Sequence, residues 1–244
     1  MKTKFNAFLL PLAMAFSFQS CDTQEVTPME EIQLKVTVNH VFGSSVIPFE
    51  LEKNYYVTTM NDTIKPTTMV YHINNFELNN DNGDQLFLDN SYALVDLSAK
   101  STFEVVNRKI PSNKSFNKLS FTIGVEDSMV NRNGILNTLF ASPMYWGMIN
   151  GYIHFKLEGL IQGGSSNSAV LHVGGYLPPY QLAKRVTVDL ARPISSGAYT
   201  PIEMEMDMSK YFKGIDLDSI NSIHQPNEDA RKISNNWPLM FQSK

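Results

Sequence analysis

Twelve methionines, five histidines and a single cysteine bound the ligand and nucleophile chemistry open to this chain of 244 residues. The cysteine is Cys21, just after an N-terminal apolar run, so the rest of the chain has no thiolate for catalysis or metal binding. Imidazole and thioether are then the only soft or borderline ligands left, and soft ligands suit monovalent copper. Met204, Met206 and Met208 alternate, which puts them on one face of an extended segment. They read as adaptable core filler, with a thioether site for Cu(I) as the sharper alternative. His40, His72, His154, His172 and His224 each fall at or near a strand or loop edge, where a lone histidine is more often structural than ligating. Trp146 is one of two tryptophans and stands in an aromatic and thioether cluster with Met144, Tyr145 and Met148. An extended backbone places Trp146 and Met148 on one side, bordering one pocket. The electron-rich indole is also open to oxidation.

Trp146 lies near the start of the stretch around which the chain is organised, residues 144–159. After Gly151 the sequence alternates: Tyr152, His154, Lys156 and Glu158 point one way, and Ile153, Phe155 and Leu157 the other. That period of two predicts a half-buried strand fed by an irregular segment. Further alternating runs fall at 31–42, 68–78, 103–106, 118–125, 169–173, 185–190 and 201–208, with shorter candidates at 55–59, 85–88 and 91–96. Tyr71, Ile73 and Phe76 are expected to face inward. The spacing pairs 103–106 with 118–125 through a Pro-Ser-Asn turn. Residues 126–139 read as a loop with a short helical turn, and 215–233 as one or two short helices interrupted by Pro226. The prediction is an all-β fold, an antiparallel β-sandwich of about nine or ten short strands with a short helical C-terminal segment.

The N-terminus has its own pattern. Lys2 and Lys4 precede an apolar run over 5–18, a signal-peptide layout too short to span a bilayer. It ends at Ser20-Cys21, which reads as a lipobox with Cys21 lipidated. The domain plan is therefore a lipoprotein signal peptide at 1–20, a polar lipid-anchored tether at 21–31 and one domain at 32–244. The location implied is the periplasm or cell surface, anchored to a membrane, and a mature chain without disulfides.

Composition excludes several classes. The chain is 43% hydrophobic and 18% charged with a net charge of −4, ordinary globular material with no basic patch for nucleic acid. There is no phosphate-cradling glycine loop, no Gly-x-Ser-x-Gly elbow, no His-Glu-x-x-His and no Cys-x-x-Cys. No carboxylate pair stands out as a hydrolytic dyad. The reading is of a protein that is not itself an enzyme.

Seven segments together resemble one family, the MbnP-like proteins found beside methanobactin copper-acquisition operons. They are LKVTVNHVFG (34–43), VYHINNFEL (70–78), YALVDLS (92–98), FTIGVEDS (121–128), MYWGMINGYIHFKLEG (144–159), VLHVGGYLPPY (170–180) and the tail from Ile215. The resemblance implies a β-sandwich that binds one Cu(I) with few His and Met ligands. It also implies a Trp-x-Trp motif whose first Trp is oxidised to kynurenine by a diheme cytochrome of the MauG/peroxidase type, an MbnH-like partner. Trp146 matches the modified residue; the second Trp is replaced by Met148. His40 and His172 match positions where the family carries histidine, and His224 lies in the matching C-terminal segment. Met144, Met148 and Met240 are the thioethers expected nearest the copper. The function implied is extracytoplasmic copper acquisition or homeostasis. The alternative is a cell-surface binding module on the same scaffold without metal, because a β-sandwich alone fixes no function.

Overall fold

The structure is a computed structural model and describes residues 31–43, 47–89, 91–100, 102–111, 113–126, 143–147, 150–195 and 200–244. The expected leader and tether lie outside the described residues except Glu31. Cys21, Met148 and the expected loop at 126–139, apart from Glu126, also lie outside them.

Strand β1 (Glu31–Phe42) has the bounds its alternation predicts. Ile32, Leu34, Val36 and Val38 are buried on one face, and His40 continues that face. On one side β1 pairs with β13 (Thr200–Asp207), followed by β15 (Phe241–Ser243). On its other side it pairs with β7 (Thr102–Pro111) and β2 (Ile47–Pro48). Met204, Met206 and Met208 are buried in the core, as filler would be.

The second sheet is built on β4 (Thr63–Asn79), the longest strand at 17 residues. Strands β10 (Gly151–Gln162) and β8 (Phe116–Ile123) lie along successive halves of one edge. Strands β3 (Tyr56–Val57), β6 (Tyr92–Asp96) and β5 (Gln85–Phe87) line the other. Beyond β8 comes β12 (Lys184–Ile194); beyond β10 come β11 (Ser168–Gly174) and β14 (Ser222–Ile223). The short β9 (Tyr145–Gly147) pairs with the start of β10. One continuous buried core joins the two sheets.

Three features depart from expectation. Strands β7 and β8 do not pair with each other: β7 joins β1, and β8 joins β4 and β12. The short connection between them crosses from one sheet to the other, so that Phe103, Val105 and Ile110 close the core from the side opposite Phe116 and Phe121. Two pairs, β1 with β13 and β11 with β14, are parallel within otherwise antiparallel sheets. Alternation fixes which face is buried but carries no information about partner direction. The described residues also form fifteen strands rather than nine or ten, because several edge pieces are only two or three residues long.

In the tail, α1 (Glu228–Ser234) starts just after Pro226, and Asn227 caps it by accepting the Ala230 N–H at 2.8 Å. A 3-10 turn at Trp237–Leu239 then buries Trp237 against Phe155, ring centroids 5.8 Å apart.

Candidate metal centre

The sheet forks at His72. Residues up to Tyr71 pair with β10, and residues from Ile73 onward pair with β8, on the same edge of β4. At the fork the His72 carbonyl accepts the Gly124 N–H at 2.9 Å. Three residues on, Asn75 takes a left-handed φ of 53° and the register shifts between Asn74 and Glu77. This bulge lets both Ile73 and Phe76 face the core although they are three apart.

His154 fills the fork from β10. Its Nδ1 accepts the Val125 N–H at 3.1 Å, which leaves the proton on Nε2, donated to the Gly175 carbonyl at 2.9 Å. Both nitrogens are committed, so His154 is a structural pin. Burial pushes its pKa down to about 4. His72 lies on the same outer face and is fully buried. Its Nδ1 is hydrogen-bonded to Tyr92 Oη at 2.6 Å, while Nε2 has no hydrogen-bond partner among the described residues. Burial, with a smaller repulsion from His154, lowers its pKa to about 3, so the ring is neutral at ordinary pH. Tyr152 packs edge-on to His72 at 6.0 Å and lies 5.0 Å from Tyr145 of β9, ring centre to ring centre.

The residues singled out from sequence lie in different places. His40 faces the core and is hydrogen-bonded to Tyr71 Oη at 3.0 Å, with Phe103 at its edge. Met240 is buried in the core at the end of the Trp237 turn. Met144 is buried beside β10, its carbonyl accepting the Ile153 N–H at 2.7 Å. Trp146 is half-buried on β9. His172 and His224 do come together: their rings lie 5.6 Å apart and nearly perpendicular. His172 Nε2 donates to Glu158 Oε1 at 2.7 Å, and the Lys156 ammonium sits on the same oxygen at 3.2 Å. Burial lowers the His172 pKa against the opposing pull of Glu158. Among the described residues, no group of three or more His, Cys, Asp and Glu is placed to hold a metal ion.

The buried pair His72 and His154 was not marked as a site by its sequence. The signal was the same period of two, which puts His72 opposite Tyr71 and Ile73, and His154 opposite Ile153 and Phe155. A half-buried strand predicts that this outer face is wet. Instead Tyr152 and His154 are as buried as the core face, and only from Lys156 onward does the outer face open.

The fold and its sites define a two-sheet β-sandwich with mixed pairing that carries imidazoles both in its core and under its outer face. The model of the MbnP family matches residues 31–225, and the chain belongs to that family. MbnP from Methylosinus trichosporium is similar in fold, with a TM-score of 0.54 and 14% identity over 83% of this chain and 88% of that one. No curated protein sequence matches the chain.

Proposed function

We propose that this chain is an exported lipoprotein, anchored through Cys21, that binds a single copper ion as Cu(I) for extracytoplasmic copper acquisition or homeostasis. Family membership supports the copper context, and a chain whose only cysteine is spent on an anchor keeps imidazole and thioether for a soft monovalent ion. The chain acts as a carrier and as the substrate of an oxidising partner, not as an enzyme. The observation that carries this reading is the contrast between its two tryptophans. Trp237 is fully buried, whereas Trp146 is half-exposed on a three-residue strand held to β10 through Gly151 and Tyr152. Its backbone is paired and its side chain is only partly buried, an arrangement that suits attack by an external oxidant.

In conversion to kynurenine the C2–C3 and C2–N1 bonds of the indole break: C3 becomes a ketone, C2 leaves as formate, water supplies the oxygen, and the electrons released pass to a diheme cytochrome of the MauG/peroxidase type that hydrogen peroxide reoxidises. The bulky bicycle becomes an aniline and a ketone, which adds polar groups and removes a steric block. The test is a mass spectrum of the Trp146 peptide from protein purified from its own host. One carbon lost and one oxygen gained is the expected result; an intact indole in every molecule overturns this part of the reading.

A second reading, a surface module without metal, has one observation in its favour. Asn150, Tyr176, Leu177, Pro178, Tyr180 and Gln225 line an open groove of about 320 Å³ without a charged side chain. The Tyr180 ring is braced by the Arg231 guanidinium at 4.9 Å. Such a groove suits a neutral ligand that stacks on phenol rings and bonds to amides.

A further inference from the structure

Four aromatic rings run in succession from the Trp146 strand to the far edge of β4. Tyr145, the neighbour of Trp146 on β9, lies 5.0 Å from Tyr152, ring centre to ring centre. Tyr152 meets His72 at 6.0 Å, and His72 meets Tyr92 of β6 at 5.7 Å. All three separations are those of packed aromatic pairs. Trp146 and Tyr145 are consecutive, so their Cα atoms are about 3.8 Å apart. Phenol and indole are among the side chains that give up one electron most readily. The succession therefore connects a half-buried indole to buried phenols beneath the outer face.

The two inner phenols differ in the property that decides where an oxidising equivalent comes to rest. Removing an electron makes a phenol a strong acid, so the step needs a proton acceptor within hydrogen-bond reach. Tyr152 is fully buried, and its Oη has no hydrogen-bond partner among the described residues. Tyr92 Oη, by contrast, lies 2.6 Å from His72 Nδ1. His72 Nε2 has no partner among the described residues, and with the ring proton there Nδ1 is the acceptor for the phenol. Burial keeps His72 neutral and holds the Tyr92 hydroxyl above the ordinary phenol range. The resting pair is a phenol donating to a neutral imidazole.

We infer that Tyr92 and His72 form a redox-active pair, the end of a relay that draws an oxidising equivalent inward from the Trp146 strand through Tyr145 and Tyr152. The inference takes from the proposed function only the source of that equivalent, a high-valent haem of the oxidising partner. Tyr92 gives up one electron, which passes outward through Tyr152 and Tyr145 and reduces the oxidant by one electron. Its hydroxyl proton moves to His72 Nδ1, leaving a neutral phenoxyl radical beside an imidazolium. A buried imidazolium of pKa about 3 is itself acidic, so the proton returns to the oxygen when an electron re-reduces Tyr92. Opening the indole withdraws electrons in more than one step. The pair holds an equivalent that the indole has not yet consumed.

A second phenol–imidazole contact, Tyr71 with His40 at 3.0 Å, lies in the core and off this route. The ring stacked on Tyr71 is Phe155, which yields no electron to a biological oxidant.

The test uses protein made without the oxidising partner, so that Trp146 is intact, and labelled with ¹⁵N-histidine. Photogenerated tris(bipyridine)ruthenium(III) removes one electron, and the sample is frozen for electron paramagnetic resonance. Wild type is expected to hold a persistent tyrosyl radical coupled to an imidazole nitrogen. Tyr92→Phe should abolish that signal, Tyr152→Phe should lower its yield severalfold, and Tyr71→Phe should leave it unchanged; thermal melts check each fold. A second measurement needs no variant: the ¹⁵N imidazole spectrum of resting wild type should show His72 protonated on Nε2 and bare on Nδ1. The inference is overturned if no radical persists in wild type, if the radical survives Tyr92→Phe, lacks imidazole coupling or is lost in Tyr71→Phe, or if His72 is protonated on Nδ1. A Tyr92 radical formed as expected, with Trp146 intact in protein from its own host, would remove the tryptophan-oxidation reading and leave the pair standing. Kynurenine at Trp146 without a Tyr92 radical would overturn the pair alone.

Discussion

The imidazole of His154 occupies the space where a side chain on Gly124 would begin: a Cβ there would lie 2.7 Å from the ring. Gly124 also has a φ of +103°, a region that L side chains rarely adopt. Its N–H donates to the His72 carbonyl and its own carbonyl accepts from the Asn74 side-chain amide, so one glycine ties the end of β8 to β4 at two points. Gly124→Ala is expected to cost at least about 1–3 kcal/mol from backbone strain alone, and more from the clash. Gly163→Ala is the control, because its φ is +82° but nothing lies within 4 Å of the added carbon. Thermal melts should show a clearly larger fall for Gly124→Ala; equal falls would mean that His154 is not pinned there.

Acid should loosen the same fork. His72 and His154 have folded pKa values of about 3 and about 4, below the 6.5 of an unfolded histidine. The unfolded chain therefore binds protons first, and their contribution to stability is full above about pH 6.5 and is lost as pH falls from there toward 4. For His154, fully buried, the loss is on the order of 3 kcal/mol at 1.36 kcal/mol per unit. Exposed carboxylates such as Asp81, held low by its hydrogen bond to Lys118, act at lower pH. Urea midpoints measured from pH 7 to 4.5 should decline steadily; a flat profile would place these rings in water.

The alternating methionines Met204, Met206 and Met208 are buried in the core. Met206 is fully buried among apolar residues. Met206→Leu should cost less than about 1.5 kcal/mol and Met206→Ala about 2–5 kcal/mol. Neither should change Cu(I) affinity in a competition titration against a chromophoric chelator. A large loss of affinity in the leucine variant would restore the thioether reading of this strand.

Much of the framework is legible in the residues because a period of two dictates which side chains are buried. β1 is the clearest case, since the parity that buries Leu34 and Val36 also carries His40 into the core. The same rule is silent on partner and direction, which is why β7 and β8 read as a hairpin and the parallel β1/β13 pair was not foreseen. It also fails at Asn75, whose left-handed backbone changes the parity between Ile73 and Phe76. The site was harder to read for a related reason. His72 and His154 look like solvent-side residues of half-buried strands, and only the forked sheet, with Tyr92 and Tyr152 brought over them, reveals that they are dry.

The exposure of the two indoles can be read in solution. In protein made without the oxidising partner, so that both indoles are intact, acrylamide quenching of tryptophan fluorescence should resolve into an accessible component from Trp146 and a protected one from Trp237. Trp146→Phe should abolish the accessible component. Uniform quenching of both would remove the physical basis for assigning oxidation to Trp146.

The copper content of the protein decides the account most directly. Protein purified from its own host should take up one equivalent of Cu(I) in the chelator competition, and hold it against the chelator. A protein that leaves all the copper with the chelator, with its fold intact by thermal melt, would contradict the copper reading and favour a metal-free surface module.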